Sequence, residues 1–422
     1  MYILHSRHDS LKMTQTKSKP VYIETIDLSA GTLQTLNIQG KQYTHDTIRY
    51  TIYNADKNYL CHTDQNRRIY NTIIENPDTH AILNAGSPIT IPADTFEAPL
   101  EDICVTELIE GSMVYLFYDD RVSAWQMATS NAVGGKYSYF RDNSESANTQ
   151  SFVSMVMEAF RDSNGETETR EISDMPFLAD LKHEYCYGFV LQHPQNEMVH
   201  RITEPKMYLV SVCELNYNNN PNQVRYVSRY EYETWVCFQT LKDSIIYFPK
   251  IYDHKSSLVD YKIMFSELQT PKETMGICIS NTVNGERCEI INPNYRESKE
   301  LRGNNFNLQF HYLCLAKLGK ANQFLKHFPH YRRCFFNYKE QYNRFITNLH
   351  QTYFKYYIQK SLKEPVHKKY YYHISQIHKT IYIPSLERGE KKVIKRSVVT
   401  SYVESMEPGQ ILHMINFEKR NV

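Results

Sequence analysis

The residues best equipped for chemistry lie in a few short stretches. Glu110-Gly111-Ser112 stands at the head of an aromatic and β-branched run, Ser112 to Tyr118. It offers a carboxylate, a hydroxyl and a glycine, which lets backbone approach a ligand closely; a tight turn needs glycine equally. His367, His373 and His378 lie near one another in the sequence but lack close acidic or cysteine partners. They read as solvated faces of a basic helix, and no metal site is expected. Gly134-Gly135-Lys136 is not a P-loop, since G-x-x-x-x-G-K-S/T is absent. Arg302, Arg332, Arg333, Lys339, Arg344, Lys355, Lys368 and Lys369 alternate with Tyr and Phe, and Glu340 and Glu364 are the only acids from 301 to 380. Cations for phosphates and rings for bases suit single-stranded nucleic acid. A helical bundle with a charged, solvated face has the same ingredients, so both readings stand.

Composition bounds the partners. Residues 1–300 carry 27 Lys and Arg against 40 Asp and Glu, whereas residues 301–422 carry 21 against 7. A net of −13 is thus joined to a net of +14. This predicts either a polyanionic partner for the basic end or docking of that end on the acidic body. Nine cysteines, odd in number and without C-x-x-C, argue for buried thiols in a reducing compartment. No apolar run nears the length of a membrane span, and the N-terminus lacks a signal-peptide core. An intracellular, non-secreted protein without membrane attachment is expected.

The elements that would position these residues form two textures. Residues 1–20 read as a loose terminus. Strand-like runs follow at Val21–Ile23, Thr47–Tyr53, Arg68–Ile74, Ser112–Tyr118 and Ala124–Thr129, the last two joined at Asp119-Asp120. Phe152, Met155, Val156, Ala159 and Phe160 fall at helical spacing, and a polar loop, Ser163 to Ser173, comes next. Strands return at Tyr185–Leu191, Lys206–Leu215, Thr234–Phe238, Ile245–Phe248 and Met275–Ser280, and Asn284-Gly285 predicts a hairpin. After Leu301 the apolar and tyrosine positions follow a helical period, with a short helix or strand pair from Lys395 to Phe417. The expected fold class is α+β: an antiparallel-sheet body (1–100 its strand-rich N-terminal part, 101–300 its core) and a basic helical C-terminal domain, 301–422.

The stretch from Val105 to Tyr139 resembles the first motif of the covalent nucleotidyltransferases, which include RNA ligases, DNA ligases and capping enzymes. Their pattern is K-x-D-G followed by a strand, and the lysine becomes a lysyl-AMP. Here the four residues are Leu108-Ile109-Glu110-Gly111. His183–Val199 resembles the third motif of phage-type RNA ligases: Phe189-Val190 replaces the aromatic-acid pair, while Pro194, Asn196, Met198 and Val199 match its close. Thr274–Ile279 aligns with the fourth motif, E-G-apolar-V, with Gly276 kept and Met275 at the glutamate. Cys288–Tyr295 aligns with the fifth, K-apolar-K then a tyrosine, with Glu289 and Ile291 at the lysines. Pro293–Asn304 resembles the continuation of that motif in ligase-like proteins of large nucleocytoplasmic DNA viruses.

This resemblance implies a ligase-like nucleotidyltransferase body over about residues 100–310, with Glu110, Gly111, Ser112, Phe189 and Gly276 beside a nucleotide cleft. It implies a viral setting, in host cytoplasm or virion. Adenylylation needs an amine nucleophile, carboxylates for metal and ribose, and cations for the triphosphate. Leu108, Val190, Met275, Glu289 and Ile291 supply none of these where the family has them. A catalytically degenerate protein is therefore expected, needing no cofactor and binding nucleic acid, single-stranded RNA in particular, or a protein through Arg302, Arg332, Arg333, Lys339, Lys368 and Lys369. Two alternatives stay open. One is an active ligase using ATP and Mg and a displaced lysine, with Lys136, Lys182 and Lys206 nearest. The other is a structural virion component.

Overall fold

The computed structural model describes residues 22–56, 65–137, 150–160, 171–252, 257–266, 270–303, 307–362, 364–390 and 393–418. The N-terminal stretch through Val21 and most of the Ser163–Ser173 loop lie outside them. Fourteen strands are described: β1 (Tyr22–Thr25), β2 (Gln39–His45), β3 (Ile48–Asn54), β4 (Ile73–Glu75), β5 (Ile82–Asn84), β6 (Ile103–Glu107), β7 (Ser112–Asp119), β8 (Ala124–Thr129), β9 (Ala132–Val133), β10 (Tyr185–Gln192), β11 (Lys206–Glu214), β12 (Gln223–Tyr226), β13 (Gly276–Asn281) and β14 (Arg287–Ile291). They form three antiparallel sheets: β1-β12-β11-β10-β7-β8-β9, β2-β3-β4-β5 and β14-β13-β6. The helices of this part are α1 (Ala30–Thr35), α2 (Gln65–Arg68), α3 (Phe152–Ala159), α4 (Arg229–Tyr232), α5 (Val236–Leu241), α6 (Leu258–Ser266) and α7 (Pro293–Arg302). The fold class is α+β, as expected, with antiparallel sheets and a helical C-terminal region. Two compact units divide between Glu297 and Ser298.

In the first unit β7 is buried on both faces. Val114 and Leu116 enter one core with Phe152, Met155, Phe189 and Phe238; Tyr115 and Phe117 enter another with Tyr50, Ile52 and Ile74. Alternation along the strand sends successive side chains to opposite cores. Each such ring or branched chain contributes about 1.5–3 kcal/mol by leaving water. A third core, Val105, Tyr261, Phe265, Ile277, Ile279 and Ile290, lies under the three-stranded sheet. The strap Tyr247–Tyr252 ties β11 of the seven-stranded sheet to β6 of the three-stranded sheet. Tyr247 N–H donates to Met207 and its carbonyl accepts from Leu209; the Lys250 carbonyl accepts from Glu107, and Tyr252 N–H donates to Val105.

Several local expectations are corrected. Arg68–Ile74 is not one strand. Arg68 closes α2, and Thr72, at φ 54° with its N–H on the Asn54 side chain, breaks the extended run before β4. Thr234–Phe238 is not a strand: Thr234 lies in a turn, Trp235 caps α5, and Val236–Phe238 are its first residues. Phe238 and Leu241, three residues apart, are buried while Val236 is exposed, which a strand's alternation would not produce. Lys395–Phe417 forms two helices.

The second unit is helical: α8 (Leu308–Lys317), α9 (Ala321–His327), α10 (Arg332–Tyr353), α11 (Lys368–Ile377), α12 (Ile383–Glu387), α13 (Arg396–Glu404) and α14 (Pro408–Ile415). Its core holds Phe324, Phe335, Phe345, Leu349, Tyr353, Ile374, Ile377, Val399 and Val403. Wide π turns follow α10 at Phe354–Ile358 and α11 at His378–Tyr382. They bring Tyr357 and His378 into a stack with ring centres 3.8 Å apart. No described helix is long and apolar enough to cross a membrane.

Candidate functional site

Glu110 sits in the connection between β6 and β7 and is buried. Its carboxylate accepts backbone N–H bonds from Met198 (3.0 Å), Val199 (2.8 Å) and His200 (3.2 Å). The Tyr295 hydroxyl also bonds it; burial first, and then this carboxylate, push the Tyr295 pKa up. The His200 ring stands 3.8 Å from the other carboxylate oxygen, and Gln192 Nε2 donates to the Glu110 carbonyl at 3.0 Å. A buried carboxylate must be paired in this way. Glu110 thereby clamps the Met198–His200 turn and Tyr295 at the start of α7.

The neighbouring motif positions converge on the same place. Asn196 Nδ2 donates to the Ser112 hydroxyl at 2.6 Å, and Leu108 N–H donates to the Gly276 carbonyl at 2.9 Å. Asn292, fully buried, donates N–H to the Met275 carbonyl at 3.0 Å, and its amide donates to Pro271 and Thr274 carbonyls. Ile291 is the register partner of Gly276, and Val190 that of Met113, beside Ser112. Gly111 and Gly276 each make a close backbone approach, but to another strand. A Cβ on Gly111 would stand 2.3 Å from the Leu191 carbonyl oxygen, and one on Gly276 2.1 Å from that of Ile290. Their missing side chains are explained by sheet packing, without a ligand.

Phe189 does not face this place. It is fully buried, edge-on to Phe160 in the core, because its neighbours on β10 alternate sides. Val190, half-buried, is the residue on the other face. Glu289 is half-buried on β14 opposite Cys278, and Arg287 lies two residues away on the same face. The Arg287 guanidinium reaches Cys278 Sγ at 3.3 Å and the Pro88 carbonyl at 3.5 Å. Burial alone would lower its pKa, but Cys278, Glu289 and Tyr115 together raise it. The negative charge of Glu289 thus has a cation beside it. Arg287 was missed in the sequence; its signal was R-x-E directly after the Asn284-Gly285 hairpin, which puts both side chains on one face.

The lysines that could replace a nucleophile at position 108 are engaged. Lys136 holds the Asp46 carboxylate at 3.0 Å, Lys182 lies over the Tyr185 and Trp235 rings, and Lys206 lies over the Tyr247 ring.

In the second unit the six basic candidates divide. Arg332, Arg333, Lys339 and Lys368 are exposed. Lys369 is not available as expected: its ammonium reaches the Ile415 carbonyl and the Glu418 carboxylate, with the side chain 10% exposed. Arg302 is half-buried over the Tyr331 ring. The three histidines are also not simple solvated faces. His373 bonds the Tyr402 hydroxyl at 3.1 Å, His378 bonds that of Tyr353 at 3.2 Å, and burial lowers the pKa of both. His367 accepts the Lys369 N–H at the head of α11. Among the described residues no three His, Cys, Asp or Glu side chains are grouped to hold a metal ion.

No family model and no curated protein sequence matches the chain. The similar solved structures include a Naegleria gruberi RNA ligase mutant with AMP and Mn, at 11% identity and TM-score 0.35, covering 51% of this chain and 58% of that one. The chain thus spans less than two thirds of that ligase's length. An archaeal ATP-dependent RNA ligase is similar at 10% identity and TM-score 0.41 over 85% of this chain and 78% of that one. A putative ATP-dependent DNA ligase from Aquifex aeolicus is similar at 11% identity and TM-score 0.38 over 89% and 85%.

Proposed function

We propose that this is an RNA-ligase-like nucleotidyltransferase-fold protein that has lost covalent nucleotide transfer and binds single-stranded nucleic acid through its basic helical unit. One observation carries the loss of chemistry. The motif carboxylate, Glu110, is saturated by backbone N–H groups and Tyr295, and the position two residues before it holds Leu108, with no amine. A lysyl-AMP requires an amine within roughly 3 Å of the α-phosphorus, in line with the leaving pyrophosphate. A metal-bound triphosphate also requires carboxylates and several cations. Val190, Met275 and Ile291 offer hydrocarbon there, and Arg287 already serves Cys278 and Glu289. These residues do not fit ATP and Mg as reactants.

The test is incubation of the full chain with α-labelled ATP or GTP and a divalent ion, followed by denaturing electrophoresis. No labelled band is expected. Leu108→Lys is expected to stay unlabelled as well, because an amine alone restores neither carboxylate nor phosphate-holding cation. A labelled wild-type band that disappears on substitution of one lysine would overturn the reading and establish a displaced nucleophile. The binding half rests on the +14 net charge of residues 301–422 and on exposed Arg332, Arg333, Lys339 and Lys368.

A further inference from the structure

The geometry points to a base-stacking site on the helical unit, formed where α10 runs out into its π turn and α11 begins, that holds unstacked bases of a single-stranded nucleic acid. This rests on the nucleic-acid reading above and names the place that reading leaves open. Tyr356, Pro365, Val366, Lys368, Tyr371 and Tyr372 line a shallow cavity of about 490 Å³. Tyr371 is 57% exposed, Tyr372 61% and Tyr356 39%, an unusual cluster of rings facing water. Contiguous exposed apolar surface of this kind marks interaction sites.

The backbone explains why the rings are outside. In the π turn Tyr353 and Tyr357 stay packed against His378, and the widened turn leaves Phe354, Lys355 and Tyr356 exposed. Such turns inside helices recur at functional sites. On α11, Ile374 and Ile377 occupy the core, so Lys368, Tyr371 and Tyr372 point away from it.

Charge selects the occupant. Lys368 lines the cavity and is exposed, Lys355 and Lys360 are exposed nearby in the chain, and Glu364 is the only acid in the sequence from 354 to 372. Rings with flanking cations suit a base with its phosphate, and every base offers a π-face, so the site is tolerant of sequence. An acidic or apolar protein segment would not require three open rings beside these ammonium groups.

The test is fluorescence anisotropy of the full chain with a labelled oligouridylate, over a salt series. Tyr371→Ala with Tyr372→Ala is expected to weaken binding at least about fivefold while leaving the salt slope unchanged. An oligonucleotide with abasic residues should bind the wild type equally weakly. Tyr371→Trp with Tyr372→Trp should bind as the wild type does, which separates stacking from any loss of folding. Lys368→Ala should lower the salt slope by about 0.7, one phosphate contact to a single strand. Unchanged affinity in the alanine pair, with wild-type binding intact, overturns this site and leaves the nucleic-acid reading standing. Absence of wild-type binding at low salt overturns both. A wild-type dimer that the alanine pair converts to monomer, with RNA affinity unchanged, assigns the face to a second copy of this chain and overturns the site.

Discussion

Glu110→Ala is expected to destabilise the first unit by about 3–5 kcal/mol, the largest effect of any single substitution at the motif positions. The carboxylate accepts from three consecutive backbone N–H groups and from Tyr295. Removing it strands those donors in a buried place. Each stranded donor costs about 1–3 kcal/mol, and breaking a buried charged network typically costs 3–5. Glu110→Gln keeps one acceptor oxygen but turns an amide NH2 toward the His200 side, where a donor already stands, so about half the loss is expected. Chemical denaturation of the two variants measures this directly. A carboxylate held ready for a ligand would behave in the opposite way: its removal would leave stability unchanged or raise it. That result would return Glu110 to the list of binding residues and weaken the case for a degenerate site.

Alkali is expected to unfold the first unit cooperatively above about pH 10. Burial pushes the Tyr115 pKa up to about 12, and burial also raises those of Tyr187, Tyr226, Tyr232 and Tyr295. In the unfolded chain these phenols ionise near pH 10. Below that value both states keep the proton and the packing of the rings contributes fully. As pH rises past 10 the unfolded chain releases protons that the folded protein retains, so stability falls until each folded pKa is passed. Tyr115, raised to about 12, alone accounts for about 3 kcal/mol. Together with the others the loss matches the whole stability of a typical domain, about 5–15 kcal/mol. Beyond the contribution of the exposed tyrosines, a steep step in phenolate absorbance should coincide with loss of the far-ultraviolet circular dichroism. Phenolate titration that runs to completion without such a step, with the sheet signal retained, would mean that these rings are open to water.

Local pattern alone made much of the scaffold legible. The β7–β8 pair, α3, β10, β11, the β13–β14 hairpin and the helices after Leu301 each announce themselves within ten or so residues, by period and by turn chemistry at Asn284-Gly285. The charge division between residues 1–300 and 301–422 is likewise a property of the chain. The absence of an amine at Leu108 is too.

The meaning of the remaining residues was decided by partners far away in the sequence. Glu110 reads as a candidate ligand contact until Met198–His200, about 90 residues on, supplies its donors. Gly111 and Gly276 read as room for a ligand until Leu191 and Ile290 fill the space. Lys369 reads as a free cation until Ile415 and Glu418 reach it, whereas Lys368, one residue earlier, remains exposed. Val236–Phe238, in a run rich in strand-forming residues, opens a helix because Phe238 and Leu241 found a core on one side only. Periodicity is written by neighbours a few residues apart. Strand register and helix docking join residues tens to hundreds of positions apart, and those pairings fix which polar groups are satisfied and which face solvent.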